Sequence, residues 1–276
     1  RWLASGERAV GKFRAKIDLE PWREVVVLAL GYLVSVRPYD YDKALAMLLD
    51  RLLVEPQTEA DWRRVLLLGE AYALLGPQRA GEAEAKELAK QVKEWAPARL
   101  TAAMQRSGLA ARQRLAAGLL LDDLGVEPPG LEMAVGPPGD GPNYFIAAAD
   151  WDFAIGRYPV SNAQYRQFVA AGGYGEKRWW TQEGWEDRQR YGWREPRFWA
   201  DRRFNRDNQP VVGVSWREAT AYCAWLTEAL RAAGAITAQQ TARLPTRAQW
   251  ERAARSRHEK DYPWDSDAFD QSRANT

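Results

Sequence analysis

The stretch that decides the second half of the fold is "PVVGVSWREATAYCAWL", residues 210–226. A short valine run ends in Ser215, and Glu218 follows three positions later, which is the spacing of a capping box at a helix N-terminus. The residues after it predict one packed helix face, formed by Ala219, Tyr222, Cys223 and Leu226. Because burial among apolar groups disfavours a thiolate, we expect the cysteine in this face to be packed and unreactive, with a raised pKa.

Two further capping boxes occur in the same half of the chain. They pair Ser161 with Gln164 and Thr246 with Gln249. Together the three boxes predict helices over 162–171, 216–232 and 247–255. The intervening stretch 174–210 is polar and aromatic without clear periodicity, and we interpret it as a long structured loop.

The first half of the chain predicts helices alone. Apolar residues recur at helical spacing over 21–36, 41–54, 59–76, 80–96 and 98–125. The breaks between them fall at Pro38, Pro56, Pro77 and Pro97. The resulting expectation is a helical-repeat-like domain over 1–128, a Pro/Gly-rich linker over 129–150 with one strand near 144–149, and a separate α+β domain over 151–276.

Composition excludes several functional classes. The net charge of +2 in 276 residues provides no strong field for nucleic acid or anionic lipid. The longest apolar run, 25–36, is too short to span a bilayer, and the single cysteine is typical of a reducing compartment such as the cytoplasm. We therefore expect neither a nucleic-acid partner nor a membrane partner.

Interleaved tryptophan and arginine residues mark a candidate binding region. Five tryptophans lie within 176–207, and such residues often anchor interfaces. The candidate ligand-binding residues are Trp179, Trp180, Trp185, Trp193, Arg194 and Trp199. The alternative interpretation is that these rings staple the long loop to its domain, with arginines stacked on them.

Several motifs of the second half resemble the formylglycine-generating, sulfatase-modifying family. They are "IGRYPVSNAQYRQFVAAGGY" (155–174), "RWWTQEGWEDR" (178–188), "PRFWADRRFNRDNQPVVGVSWREATAYCAWL" (196–226), "RLPTRAQWERAAR" (243–255) and "YPW" (262–264). The resemblance implies a variant of the C-type lectin-like fold, with family motifs expected beyond Thr276. The helical half resembles the HEAT-like arm of bacterial STAND proteins, for example in "EPWREVVVLALGYL" (20–33), which implies an upstream NACHT-type NTPase domain.

The family includes copper-dependent oxidases that use two cysteines and sulfoxide synthases that use a three-histidine iron site. This chain has one cysteine and one histidine, Cys223 and His258, so neither metal site can be assembled from it. We expect no catalytic residue, no cofactor and no transition metal. Acidic residues such as Glu183, Glu186 and Asp187 leave structural calcium open.

Three functions remain as alternatives. The first is a non-catalytic module that binds an unknown protein or small molecule, as in a variable protein of a diversity-generating retroelement or a STAND sensor domain. The second is an oxidase of the formylglycine-generating type, with copper or non-haem iron. The third is a structural scaffold.

Overall fold

The computed structural model describes residues 24, 25, 27, 28, 31, 32, 56–75, 83–106, 108–126, 144–148, 150–255, 262, 268 and 269. The chain divides into two compact units, Arg1–Val126 with Gln271–Thr276, and Glu127–Asp270. Across the described ranges, no helix combines the length and the apolar character that crossing a membrane requires.

Three helices with described bounds lie in the first unit. They are α1 (Glu59–Leu75), α2 (Ala83–Gln105) and α3 (Ala111–Asp123). Their buried side chains include Trp62, Val65, Val92, Leu100 and Leu121. The predicted helix 41–54 lies outside the described residues, and of 21–36 only six residues are described, all of them helical. The helical-repeat architecture stays a prediction.

The predicted break at Pro97 is wrong, because this proline lies inside α2. A proline in a helix lacks one backbone N–H, and this usually ends or kinks the helix. Here Trp95, Ala96 and Leu100 are all buried, so side-chain packing on both sides of the proline favours continuing the helix. The chain leaves the helix only after Gln105, and α3 begins at Ala111.

The described part of the second unit contains a two-stranded sheet and four α-helices. The strands are β1 (Phe145–Ala147) and β2 (Ala154–Gly156), antiparallel, with Ile146 opposite Ile155. The helices are α4 (Asn162–Ala170), α5 (Gln182–Tyr191), α6 (Trp216–Ala232) and α7 (Arg247–Ala254), with a 3₁₀ turn over Lys177–Trp179. The strand expected near 144–149 is present, and it pairs with residues of the second unit although it lies within the segment interpreted as a linker.

All three predicted capping boxes are present. In each, the hydroxyl of the N-cap residue accepts from the backbone N–H three positions later, and the longer side chain accepts from the N-cap N–H. The helices α4, α6 and α7 begin where these boxes predict and end within one residue of the expected position. Capping boxes therefore fix where these three helices begin.

The interpretation of 174–210 as a loop is wrong over α5. This helix begins after Thr181, whose hydroxyl accepts from Gly184 N–H at 3.1 Å, and it ends at Gly192 in the left-handed conformation with φ 65°. Only Gly184 is buried among its residues, so α5 has no apolar stripe and the periodicity criterion could not detect it.

Aromatic side chains make up most of the core of the second unit. The buried members are Tyr165, Phe168, Tyr174, Trp179, Trp180, Ala221, Tyr222, Trp225, Leu226 and Leu230. The rings of Tyr165 and Tyr222 are stacked with centroids 5.1 Å apart, and Phe168 packs edge-on to both. The core thus joins α4, α6 and the turn that carries Trp179.

Candidate functional site

The structure separates the six candidate ligand-binding residues by exposure. Trp179 and Trp180 are core residues, 6% and 7% exposed, and they have little surface to offer a ligand. Trp185, Trp193 and Trp199 are half-buried and pack against the same core. Arg194 is exposed. If this region binds a ligand, the half-buried rings and Arg194 are the members that can reach it.

Arginines lie over several of these rings. The guanidinium carbon is 4.8 Å from the ring centroid for Arg178 on Trp179 and 5.2 Å for Arg188 on Trp185. Stacking of this kind stabilises a loop on its own domain, which matches the stapling interpretation. Ligand binding by the region stays a prediction.

A buried polar network lies beneath this region. Glu218 is 4% exposed, and its Oε2 accepts from the Ser215 N–H at 2.7 Å as part of the capping box. Its Oε1 accepts from the Tyr174 hydroxyl at 2.6 Å, and the Tyr165 hydroxyl lies 3.2 Å from that of Tyr174. Two phenols and one carboxylate therefore form a continuous hydrogen-bonded chain inside the aromatic core.

The geometry of this network determines which group donates in each hydrogen bond. A hydroxyl carries one proton, and Tyr174 donates its proton to Glu218. Tyr165 must therefore be the donor to Tyr174. Desolvation by burial raises the pKa of both phenols far above the ordinary value, and the hydrogen bond to Glu218 raises the pKa of Tyr174 further. Both tyrosines are neutral throughout the physiological range.

Sequence reasoning predicted Glu218 as a cap but missed its second contact. Tyr174 follows a turn that needs glycine, because a Cβ at Gly173 would lie 2.3 Å from the Phe168 ring. The available signal was chemical. The other two boxes use glutamine at the same position, whereas this one uses glutamate, which offers two acceptor oxygens and no donor.

Cys223 lies at the edge of the α6 core face and not at its centre. The buried residues of the helix include Ala221, Tyr222 and Trp225, whereas the cysteine has intermediate exposure. Burial nevertheless raises the pKa of its thiol to about 11, as expected for an unreactive cysteine. The buried neighbour Tyr144 has a pKa raised to about 12, mainly by burial and also by the charge of Cys223.

The donors present do not fit the metals that the resemblance implies. Among the described residues, no group of three or more His, Cys, Asp or Glu side chains could hold a metal ion. His258 lies outside the described residues. Glu183 and Asp187, considered above for calcium, both pair with Arg217, at 3.0 and 2.7 Å. One thiol and one imidazole supply neither a two-thiolate copper site nor a three-imidazole iron site.

Residues 143–276 match the family profile described as "Sulfatase-modifying factor enzyme 1-like domain". A domain of this kind is therefore present in the second half of the chain, as the motifs of residues 155–264 predicted. The profile begins two residues before β1, so the small sheet is part of the family domain.

The curated relatives carry three kinds of name, the third being "Inactive C-alpha-formylglycine-generating enzyme 2" of Mus musculus, which is 29% identical over 170 residues and covers 53% of this chain and 50% of the relative. The chain is 37% identical over 126 residues to "Hercynine oxygenase" of Mycobacterium tuberculosis, covering 41% of this chain and 26% of the relative. It is 41% identical over 110 residues to "Hercynine oxygenase" of Mycolicibacterium smegmatis, covering 37% and 22%. It is 31% identical over 150 residues to "Formylglycine-generating enzyme" of Thermomonospora curvata, covering 46% and 44%. The chain thus spans about a quarter to half of the length of these relatives.

Proposed function

We propose that the family domain of this chain serves an oxygenase of the hercynine oxygenase kind and contributes its substrate-binding surface. The observation that carries this choice is the higher identity to the two relatives with that name, 37% and 41%, than to the formylglycine-generating enzyme, 31%. The state of Cys223 supports the same choice, because a thiol with a pKa near 11 is poorly suited to thiol redox chemistry.

No step of the reaction runs through a metal in this proposal, because the single cysteine and single histidine of this chain do not fit a copper or an iron site. The role assigned to the chain is binding and orientation. The aromatic core and the capped helices hold the 176–207 region rigid, so that the half-buried rings and Arg194 meet a ligand in a fixed arrangement. Ordering these groups in advance lowers the entropic cost of binding.

Isothermal titration of the 276-residue chain with hercynine tests the proposal. We expect saturable binding, and about tenfold weaker binding for Arg194→Ala, because loss of one well-placed charged contact costs roughly 1.4 kcal/mol. Arg243→Ala is the matched control. This arginine is also exposed but lies outside the 176–207 region, and its loss should leave the affinity unchanged. Absence of hercynine binding would count against the proposal.

A non-catalytic binding module is the second candidate. It is favoured by the lack of a metal-capable cluster among the described residues and by the unreactive environment of Cys223. Its test is elemental analysis combined with oxygen uptake on hercynine and on a cysteine-containing sulfatase peptide. Stoichiometric copper or iron, or turnover of either compound, would exclude it. The retroelement variable protein and the STAND sensor are special cases that the comparisons do not support.

A further inference from the structure

We propose that Tyr174 is a redox-active tyrosine, which loses an electron to an oxidant as its phenol proton moves to Glu218, with a chain of aromatic rings leading from it to the surface. The proposal depends on the proposed function only for the natural source of the oxidant. An oxygenase generates strong one-electron oxidants when turnover fails, and a buried tyrosine with a ring path to solvent would remove them harmlessly.

The first requirement is a base in direct contact with the phenol. A phenol loses an electron far more readily when its proton can leave at the same time. The Tyr174 hydroxyl donates to Glu218 Oε1 at 2.6 Å, a short distance typical of a bond between a hydroxyl and a carboxylate. In the described part of the chain, no arginine or lysine pairs with Glu218, so the carboxylate is free to accept this proton.

The second requirement is a path for the electron. The ring of Tyr174 lies 5.7 Å from that of Trp180, and Trp180 lies 6.5 Å from Trp193. Trp193 is stacked on Tyr191 at 5.6 Å, and Tyr191 is 63% exposed. Every step is a contact between rings of low oxidation potential. The path therefore connects a residue of the buried network with solvent without a gap.

Trp180 differs from Tyr174 in the group that accepts its hydrogen bond. The Trp180 indole N–H donates to the Gly173 carbonyl at 2.8 Å. A backbone carbonyl accepts this hydrogen bond but is too weak a base to take the indole proton. Trp180 therefore transmits charge without losing its proton. Tyr174 alone among the four rings of the path has a carboxylate as acceptor, which makes it the place where the oxidised state persists.

The electrons and protons balance in two steps. In the first, a one-electron oxidant takes an electron from Tyr174 and is reduced, while the phenol proton passes to Glu218. The products are a neutral tyrosyl radical and a protonated Glu218. In the second, a solution reductant such as ascorbate or a thiol gives one electron at Tyr191. The electron passes inward through Trp193 and Trp180, and the proton returns from Glu218 to Tyr174.

The test supplies its own oxidant, so its outcome does not depend on oxygenase activity. The chain is illuminated with ruthenium tris-bipyridine and persulfate, and the radical that survives after the light is turned off is recorded by electron paramagnetic resonance. The chain has 11 tyrosines, and radicals on exposed rings couple quickly, so persistence identifies a buried site. We expect a persistent tyrosyl radical in the native chain and its loss in Tyr174→Phe.

Glu218→Gln is the sharper variant because it should fold. Two natural capping boxes in this chain already use glutamine at that position, so the helix cap is kept while the base is lost. We expect the yield of persistent radical to fall about tenfold, the loss expected when a charged acceptor becomes neutral.

Tyr144→Phe is the matched control. Tyr144 is equally buried, but its hydroxyl donates to the Tyr158 carbonyl and not to a carboxylate, so the radical should be unchanged. A persistent signal that survives in Tyr174→Phe, or an unchanged yield in Glu218→Gln, would overturn the proposal. Failure of hercynine binding would leave the radical unaffected, so the two proposals fail separately.

Discussion

Glu218 performs two tasks with its two carboxylate oxygens. One oxygen accepts a hydrogen bond from the Ser215 N–H at the start of α6, and the other accepts a hydrogen bond from the Tyr174 hydroxyl. Glu218→Ala should lower the free energy of unfolding by about 2–4 kcal/mol, because it removes the side-chain half of the capping box and leaves the part-buried Ser215 N–H and the buried Tyr174 hydroxyl without this acceptor. Urea denaturation measures this loss. Glu218→Gln should cost less than Glu218→Ala, and equal losses for the two variants would contradict a capping role.

The thiol of Cys223 has a pKa raised to about 11 by burial, compared with 9.0 normally. The stability that the neutral thiol provides is therefore complete below pH 9.0 and is lost as the pH rises through 11. Cys223→Ala should remove this part of the alkaline destabilisation. At neutral pH, iodoacetamide should label the native chain far more slowly than the unfolded chain. Equal labelling rates would show an accessible, reactive thiol.

At the scale of helices and strands, the features that depend on residues close together in the sequence were predictable. The capping boxes of α4, α6 and α7 involve side chains three residues apart, and sequence alone located them. Helix α5 escaped detection because tertiary contacts, not an apolar stripe, position it: Trp185 packs against the core, and Arg217 of α6 pairs with Glu183 and Asp187. The Tyr174–Glu218 contact joins residues 44 positions apart, and no pattern reveals such a pair.

Gly192 gives a direct test of how α5 ends. Its φ is 65°, and a Cβ there would meet nothing within 4 Å, so any cost of substitution comes from the backbone alone. Gly192→Ala should destabilise the second unit by about 1 kcal/mol, whereas Gly192→Asn should cost less, since asparagine tolerates this conformation. Thermal unfolding followed by circular dichroism compares the two. Equal stability of Gly192→Ala and the native chain would contradict the left-handed cap.

Substitution of Pro97 tests whether α2 continues through this residue. If the helix is continuous, this proline withholds one backbone hydrogen bond within it. Pro97→Ala should then stabilise the first unit by about 1–3 kcal/mol, because alanine restores the N–H and is a strong helix former. Chemical denaturation of the variant measures this change in the free energy of unfolding. A destabilised variant would indicate a break at this position, as the sequence alone suggested.

At the scale of the whole molecule, the sequence identified the family but favoured a non-catalytic function. Its motifs predicted the match of residues 143–276, because they are short stretches that reflect local packing and can be recognised in the sequence alone. The choice between binding and catalysis depends on which donor groups meet in space. One cysteine and one histidine argued against a complete metal site, while the relatives named hercynine oxygenase favour an oxygenase.

Calorimetric titration of the 276-residue chain with hercynine, in the presence and absence of a metal chelator, tests the central proposal most directly. If the chain provides the substrate-binding surface of such an oxygenase and holds no metal itself, hercynine should bind with the same affinity under both conditions. The absence of binding would contradict the assigned role, and binding that disappears with the chelator would show that the chain assembles a metal site after all.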